Sequence, residues 1–178
     1  MNGTLWAWGL NSSGQLGDGG TTQRNAPVQI GSSTNWRSVA CSNGSTSMGS
    51  RSDGTMWVWG PGAFGQFGNG AYGTTNRTSP GQLGSSTAWF ATAAFANSGH
   101  QLGLTTDRSL WGWGYSHGGQ TAFAGRNQFL PDQVIPALSP PQTITFTAPS
   151  TVPVGDTVTL NATASSALPA RYIVTGPA

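Results

Sequence analysis

Three observations predict an all-β fold of tandem four-stranded antiparallel propeller-type blades forming an incomplete arc, with the first strands of a β-sandwich behind it. They are a recurring tryptophan box, a glycine-bearing turn ahead of each box, and period-two alternation near the C-terminal end. The box reads Gly3-Thr4-Leu5-Trp6-Ala7-Trp8-Gly9, then Gly54-Thr55-Met56-Trp57-Val58-Trp59-Gly60, then Arg108-Ser109-Leu110-Trp111-Gly112-Trp113-Gly114, at offsets of 51 and 54 residues. Self-similarity near 50 residues, carried by strand formers between glycine turns, is what repeated β-blades or a β-solenoid leave in a sequence.

The repetition extends beyond the box. Gly14-Gln15-Leu16-Gly17 returns as Gly65-Gln66-Phe67-Gly68 and, weakened, as Gly119-Gln120. The segment from Arg24 to Trp36 returns from Arg77 to Trp89, whereas the third copy decays after Gln120 and keeps Arg126, Pro131 and Gln133-Val134-Ile135. The units are therefore about 1–52, 53–106 and 107–135.

Within a unit, tryptophans two residues apart project from one face of a strand, while Ala7, Val58 and Gly112 face the other way. Asn2-Gly3 and Asp53-Gly54 predict two-residue hairpin turns with positive φ at both central positions. Trp36 to Ala40 and Thr46 to Ser50 are the expected upstream strands. All eight tryptophans, Trp6, Trp8, Trp36, Trp57, Trp59, Trp89, Trp111 and Trp113, occupy repeat positions and are assigned to the structural repeat core, because stacked repeats bury their faces against one another.

These motifs resemble the regulator of chromosome condensation repeat, whose units form blades of a β-propeller. The resemblance is carried by the Asp-Gly-Thr-apolar-Trp-X-Trp-Gly box at Asp53 to Gly60, the Gly-Gln-Leu-Gly turn at Gly14 to Gly17, and the Arg-X-X-Pro-Val segment at Arg24 to Val28. The family pattern has a His-Thr-X-Ala-Leu strand before the Asp-Gly turn; here the strands read Thr46-Ser47-Met48-Gly49-Ser50 and His100-Gln101-Leu102-Gly103-Leu104, so only His100 keeps the histidine. The resemblance implies seven blades, against two full repeats and part of a third. Propellers close with about four to eight blades, so the expectation is either a piece of a longer product or an arc completed by other chains.

Residues 136–142 carry Pro136, Pro140 and Pro141 and read as a stiff linker. Beyond it, residues 143–178 alternate at period two around Thr143 to Ala148, Val154 to Ala164 and Arg171 to Thr175, and resemble the opening strands of a bacterial immunoglobulin-like module.

Composition narrows the setting. The chain has seven Arg and no Lys, five Asp and no Glu, and charged residues make up only 7% of it, against about a quarter in ordinary domains. Its surface must be Ser, Thr, Asn, Gln and Gly. The arginines are scattered, which argues against nucleic acid as a partner, and no run of about 18 apolar residues indicates a membrane span. Cys41 reads as a small buried strand residue. No catalytic constellation emerges: His100 falls on a strand and His117 in a glycine-rich turn, no third ligand stands beside either, and the five aspartates are isolated, with Asp53, Asp107 and Asp18 read as turn residues by spacing. No catalytic residue, cofactor or metal is assigned.

Three functional classes remain. The first is a noncatalytic structural or adhesive module of a phage particle or bacterial surface, outside the cell, whose partners are proteins or further copies of itself. The second is a carbohydrate-binding propeller, with surface glycans as ligands and Phe64, Tyr72, Tyr115 and His117 as the candidate ligand-contact loops. The third, implied only by the resemblance, is a guanine-nucleotide exchange factor, an activity that depends in that family on a complete ring.

Overall fold

A computed structural model describes residues 3–41, 46–94, 99–123, 127–136, 144–147 and 161–164. They contain strands and turns and no helix. The strands are β1 (Trp6–Gly9), β2 (Arg24–Gln29), β3 (Trp36–Cys41), β4 (Ser47–Arg51), β5 (Met56–Gly62), β6 (Thr74–Gln82), β7 (Trp89–Ala94), β8 (His100–Thr105), β9 (Leu110–Gly114), β10 (Gln128–Ile135), β11 (Ile144–Thr147) and β12 (Asn161–Ala164).

All pairing is antiparallel between neighbours. The first sheet is β1-β2, the second β3-β4-β5-β6 and the third β7-β8-β9-β10. The four-stranded sheets thus straddle the sequence units, each tryptophan box supplying its third strand. The chain divides into two compact units, Met1–Leu138 and Ser139–Ala178. In the second, β11 pairs with β12 in register from Ile144 opposite Ala164 to Thr147 opposite Asn161. The proposed strands at Val154 to Leu160 and Arg171 to Thr175, and the linker at 137–142, lie outside the described residues.

Period-two geometry gives each sheet two different faces. Trp36, Trp57 and Trp59 share one face of the second sheet and pack on Leu5, Ala7, Val28 and Ile30 of the first. Met48, Met56 and Val58 share its other face and pack with Phe67 and Leu83 against Trp89, Trp111 and Trp113 of the third. The repeating device is therefore a tryptophan face of one sheet on the aliphatic face of the sheet before it. In both seams the tryptophans meet at steep angles, Trp36 to Trp59 at 5.9 Å and Trp89 to Trp113 at 5.9 Å between ring centroids, within the favoured range for aromatic pairs.

Trp6 and Trp8 depart from the core assignment: they are 50% and 62% exposed. Strand β1 pairs only with β2, where β5 and β9 have neighbours on both edges, and among the described residues no sheet presents an aliphatic face to them. Cys41 is likewise exposed rather than buried: a bulge after Trp36 puts both residues on one side of β3, but Cys41 is the last residue of this edge strand, opposite Ser47, beyond the tryptophan cluster.

The turns also differ from expectation. At Arg51 to Thr55 the Gly54 amide bonds to the Arg51 carbonyl at 3.0 Å and the Arg51 amide to the Thr55 carbonyl at 3.0 Å. Gly54 has φ +81° and Asp53 is not in the left-handed region, so this is a three-residue loop closed by one left-handed residue, not a two-residue turn. Asp53 instead accepts from the Thr55 amide at 3.0 Å and its hydroxyl at 2.7 Å, and that hydroxyl accepts the Trp57 indole at 2.8 Å. Asp107, Ser109 and Trp111 repeat this chain of bonds, which explains the fixed spacing of Asp, hydroxyl and first tryptophan in the box. The corresponding turn ahead of Trp6 includes Asn2, outside the described residues.

Candidate functional site

The four loop residues singled out by sequence come together. Phe64 follows β5, Tyr72 precedes β6, and Tyr115 and His117 follow β9, yet their rings form one row across the second and third sheets. Phe64 meets Tyr72 at 6.5 Å and Tyr115 at 5.5 Å, both edge-on, and His117 stacks on Tyr115 at 5.0 Å with planes 21° apart. Phe129 of β10, which sequence reasoning missed, extends the row through Tyr72 at 5.7 Å. Its signal was faint because it lies where the third repeat has decayed.

The row is surface: Phe64 is 41% and Tyr72 62% exposed, His117 is exposed and Tyr115 half-buried. The turn does not require the Phe64 ring. The turn holding Phe64 is closed by the Gln66 side chain, which accepts the Phe64 amide at 2.6 Å; Gln15 closes the equivalent turn on the amide of Ser13 and Gln120 on that of Gly118, each at 2.8 Å. Serine and glycine thus serve where Phe64 stands. A cluster of surface aromatic rings is chemistry available for a ligand.

The repeat-core tryptophans sit elsewhere. Trp36, Trp59, Trp89 and Trp113 are buried, Trp57 and Trp111 half-buried, and Trp6 and Trp8 exposed. Trp59 donates to the Gln15 carbonyl at 3.0 Å and Trp113 to the Gln66 carbonyl at 2.9 Å, so the second tryptophan of each covered box ties its sheet to the Gly-Gln turn of the preceding one.

Titratable groups serve local structure. Asp18 is an ion-pair partner of Arg24 at 2.6 Å; burial pushes its carboxyl up, and bonds from Arg24, the Gly20 amide and Asn11 outweigh this, leaving it below the ordinary value. Asp107 is held at about 2 by the hydroxyls of Thr105 and Ser109 and the Ser109 amide. His100 is buried on β8. Among the described residues no three His, Cys, Asp or Glu side chains gather as a metal site, and no helix is long and apolar enough to cross a membrane.

Comparison with known proteins places this geometry. Residues 2–48 match the model of the regulator of chromosome condensation (RCC1) repeat. The chain is 28% identical over 136 residues to the E3 ubiquitin-protein ligase HERC2 of Homo sapiens, covering 76% of this chain and 3% of that protein. Among solved structures, human WBSCR16 superposes with a TM-score of 0.64 at 20% identity, over 75% of this chain and 33% of its own. Prp20p of Saccharomyces cerevisiae superposes with a TM-score of 0.61 at 19% identity, over 74% and 34%. The chain spans a small fraction of the ligase and about a third of each propeller. The tryptophan-bearing part of this chain is therefore built of RCC1-type β-propeller repeats.

Proposed function

We propose that the chain is a noncatalytic interaction module whose binding face is the tryptophan side of the first sheet, covered by a partner protein or a further copy of the chain. The observation that carries this reading is the exposure of Trp6 and Trp8, at 50% and 62%, when Trp59 and Trp113, the counterparts of Trp8, are sealed between sheets and Trp57 and Trp111, those of Trp6, are half-buried. Among the described residues strand β1 also offers an unpaired edge, to which strands of another chain can add. Prp20p, built on the same fold, is known for its binding properties toward Gsp1p and histones, which supports a protein as the partner here. The setting we propose is the surface of a phage particle or bacterial cell, on the strength of the nearly uncharged polar composition and the period-two sequence alternation after residue 142.

The opposite end is built differently. Arg108 and Ala122 are the two non-glycine residues with positive φ among those described, at +68° and +63°. They stand where the earlier repeats have Gly54 and Gly17 or Gly68. A Cβ on Gly54 would run into the Thr87 carbonyl of the next sheet, and one on Gly17 would fall 2.7 Å from the Trp59 indole nitrogen. Side chains at 108 and 122 thus obstruct a further sheet stacked in the same way, and directionality favours the Trp6 side as the docking face.

Size-exclusion chromatography with light scattering across a dilution series tests the proposal. Concentration-dependent association abolished by Trp6→Ser with Trp8→Ser is expected; a monomer at every concentration that also recruits no protein partner rejects it. The aromatic row favours one second reading, a carbohydrate-binding module, which saturable glycan binding lost in Tyr72→Ala and Tyr115→Ala would establish. Accelerated nucleotide release from a small GTPase at substoichiometric dose would instead support exchange activity.

A further inference from the structure

The seams between successive sheets each open into a cleft. The first, about 310 Å³, is lined by Ile30, Ser33, Trp36, Arg51, Ser79 and Pro80 among others. The second, about 380 Å³, has Leu83, Ser86, Trp89, Thr105, Leu130 and Pro131 in the corresponding places. Register fixes the correspondence, since Arg51 lies opposite Trp36 and Thr105 opposite Trp89 in their ladders. One cleft therefore carries a guanidinium where its repeat carries a threonine.

Arg51 is held ready. Its guanidinium lies 3.8 Å from the Trp57 ring centroid and 4.5 Å from that of Trp36, so two indoles fix the plane of the fork. Its Nε is buried without a hydrogen-bond partner among the described residues, as is the Trp36 indole nitrogen. The carboxylates nearby are engaged: Asp18, which also lines the cleft, pairs with Arg24, and Asp53, the charged neighbour of Arg51, accepts from Thr55 and Asn35. A partly desolvated, oriented guanidinium with no direct salt bridge among the described residues, beside an apolar wall, is complementary to one carboxylate on a short aliphatic stem. The cleft has room for a side chain and not for a folded domain.

We infer that the first seam cleft binds the carboxylate of an acidic side chain on a partner protein, with Arg51 as the ion-pairing residue. This rests on the reading of the chain as a protein-binding module. The second cleft, lacking the guanidinium, is its internal control.

The full chain with ¹⁵N-labelled tryptophan indoles is titrated with an N-acetylated, C-amidated Gly-Gly-Glu-Gly-Gly peptide, with the Gln peptide, with acetate and with inorganic phosphate. Expected is a saturable shift of the Trp36 indole with the Glu peptide, none with the Gln peptide, little with phosphate, and an unmoved Trp89. Acetate should compete with the Glu peptide but bind more weakly, whereas acetate binding as tightly as the peptide would leave a free small acid as the ligand and overturn the assignment to a partner side chain. Arg51→Met should weaken the Glu response at least about tenfold. Should that variant fold poorly, Thr105→Arg transplants the group and should make Trp89 respond. An equal response to the Gln peptide or phosphate, or a folded Thr105→Arg chain whose Trp89 stays silent, overturns the inference. Association by light scattering on the same samples separates this failure from failure of the module reading.

Discussion

Trp59 donates its indole hydrogen to the main-chain carbonyl of Gln15 at 3.0 Å, across the seam between the first and second sheets. Ser47 donates to the same oxygen at 2.7 Å. The second tryptophan of the box is thus both a packing residue and a tether, and the box and the Gly-Gln turn recur together because each needs the other.

Trp59→Ala is expected to cost about 3–5 kcal/mol, the range for emptying a buried large aromatic site. Trp8→Ala should change stability by less than about 0.5 kcal/mol, as exposed substitutions do. Urea unfolding of the dilute chain followed by circular dichroism checks both, and equal losses would mean that the two positions are equally buried.

Arg108→Gly should raise stability by about 1 kcal/mol, because a left-handed backbone costs a side-chain-bearing residue roughly that much and glycine little. Gly54→Ala should lower it by more, since strain is joined by collision with the Thr87 carbonyl. Thermal unfolding of the two variants should shift in opposite directions.

Asp107 contributes to stability above the ordinary carboxylate range and loses that contribution in acid. Its folded pKa of about 2 lies below the ordinary carboxylate value of 3.8, so the unfolded chain takes up the proton first as pH falls. The contribution is complete above about pH 4 and disappears as pH drops toward 2. Asp53, also lowered, by the Thr55 hydroxyl and amide, acts with the same sign. Asp107→Asn should flatten the acid limb of the stability curve; an unchanged limb would remove Asp107 from it.

The repeat made the sheets legible in advance. Tryptophans spaced by two residues imply one strand face, and Val58 between them implies the other, which is how Met48, Met56 and Val58 come to face Trp113. What sequence could not convey was what each face meets. Trp6 and Trp57 occupy the same place in the box, and their different exposure depends on a neighbouring sheet. The turn at Asp53 was misjudged because Asp-Gly serves two turn types, and the bonds from Thr55 select between them. The aromatic row joins rings from two separate loops and β10, a convergence that only tertiary structure creates.

The division of the eight tryptophans between sealed seams and one open face is tested most directly by ¹⁹F NMR of the chain labelled with 5-fluorotryptophan, each resonance assigned by substitution and its solvent isotope shift measured in dilute and concentrated samples. In the dilute monomer Trp6 and Trp8 should show large shifts and Trp59 and Trp113 almost none, with the Trp6 and Trp8 shifts shrinking on association. Trp59 or Trp113 as solvent-accessible as Trp8, or Trp6 and Trp8 protected in the monomer, would contradict the division.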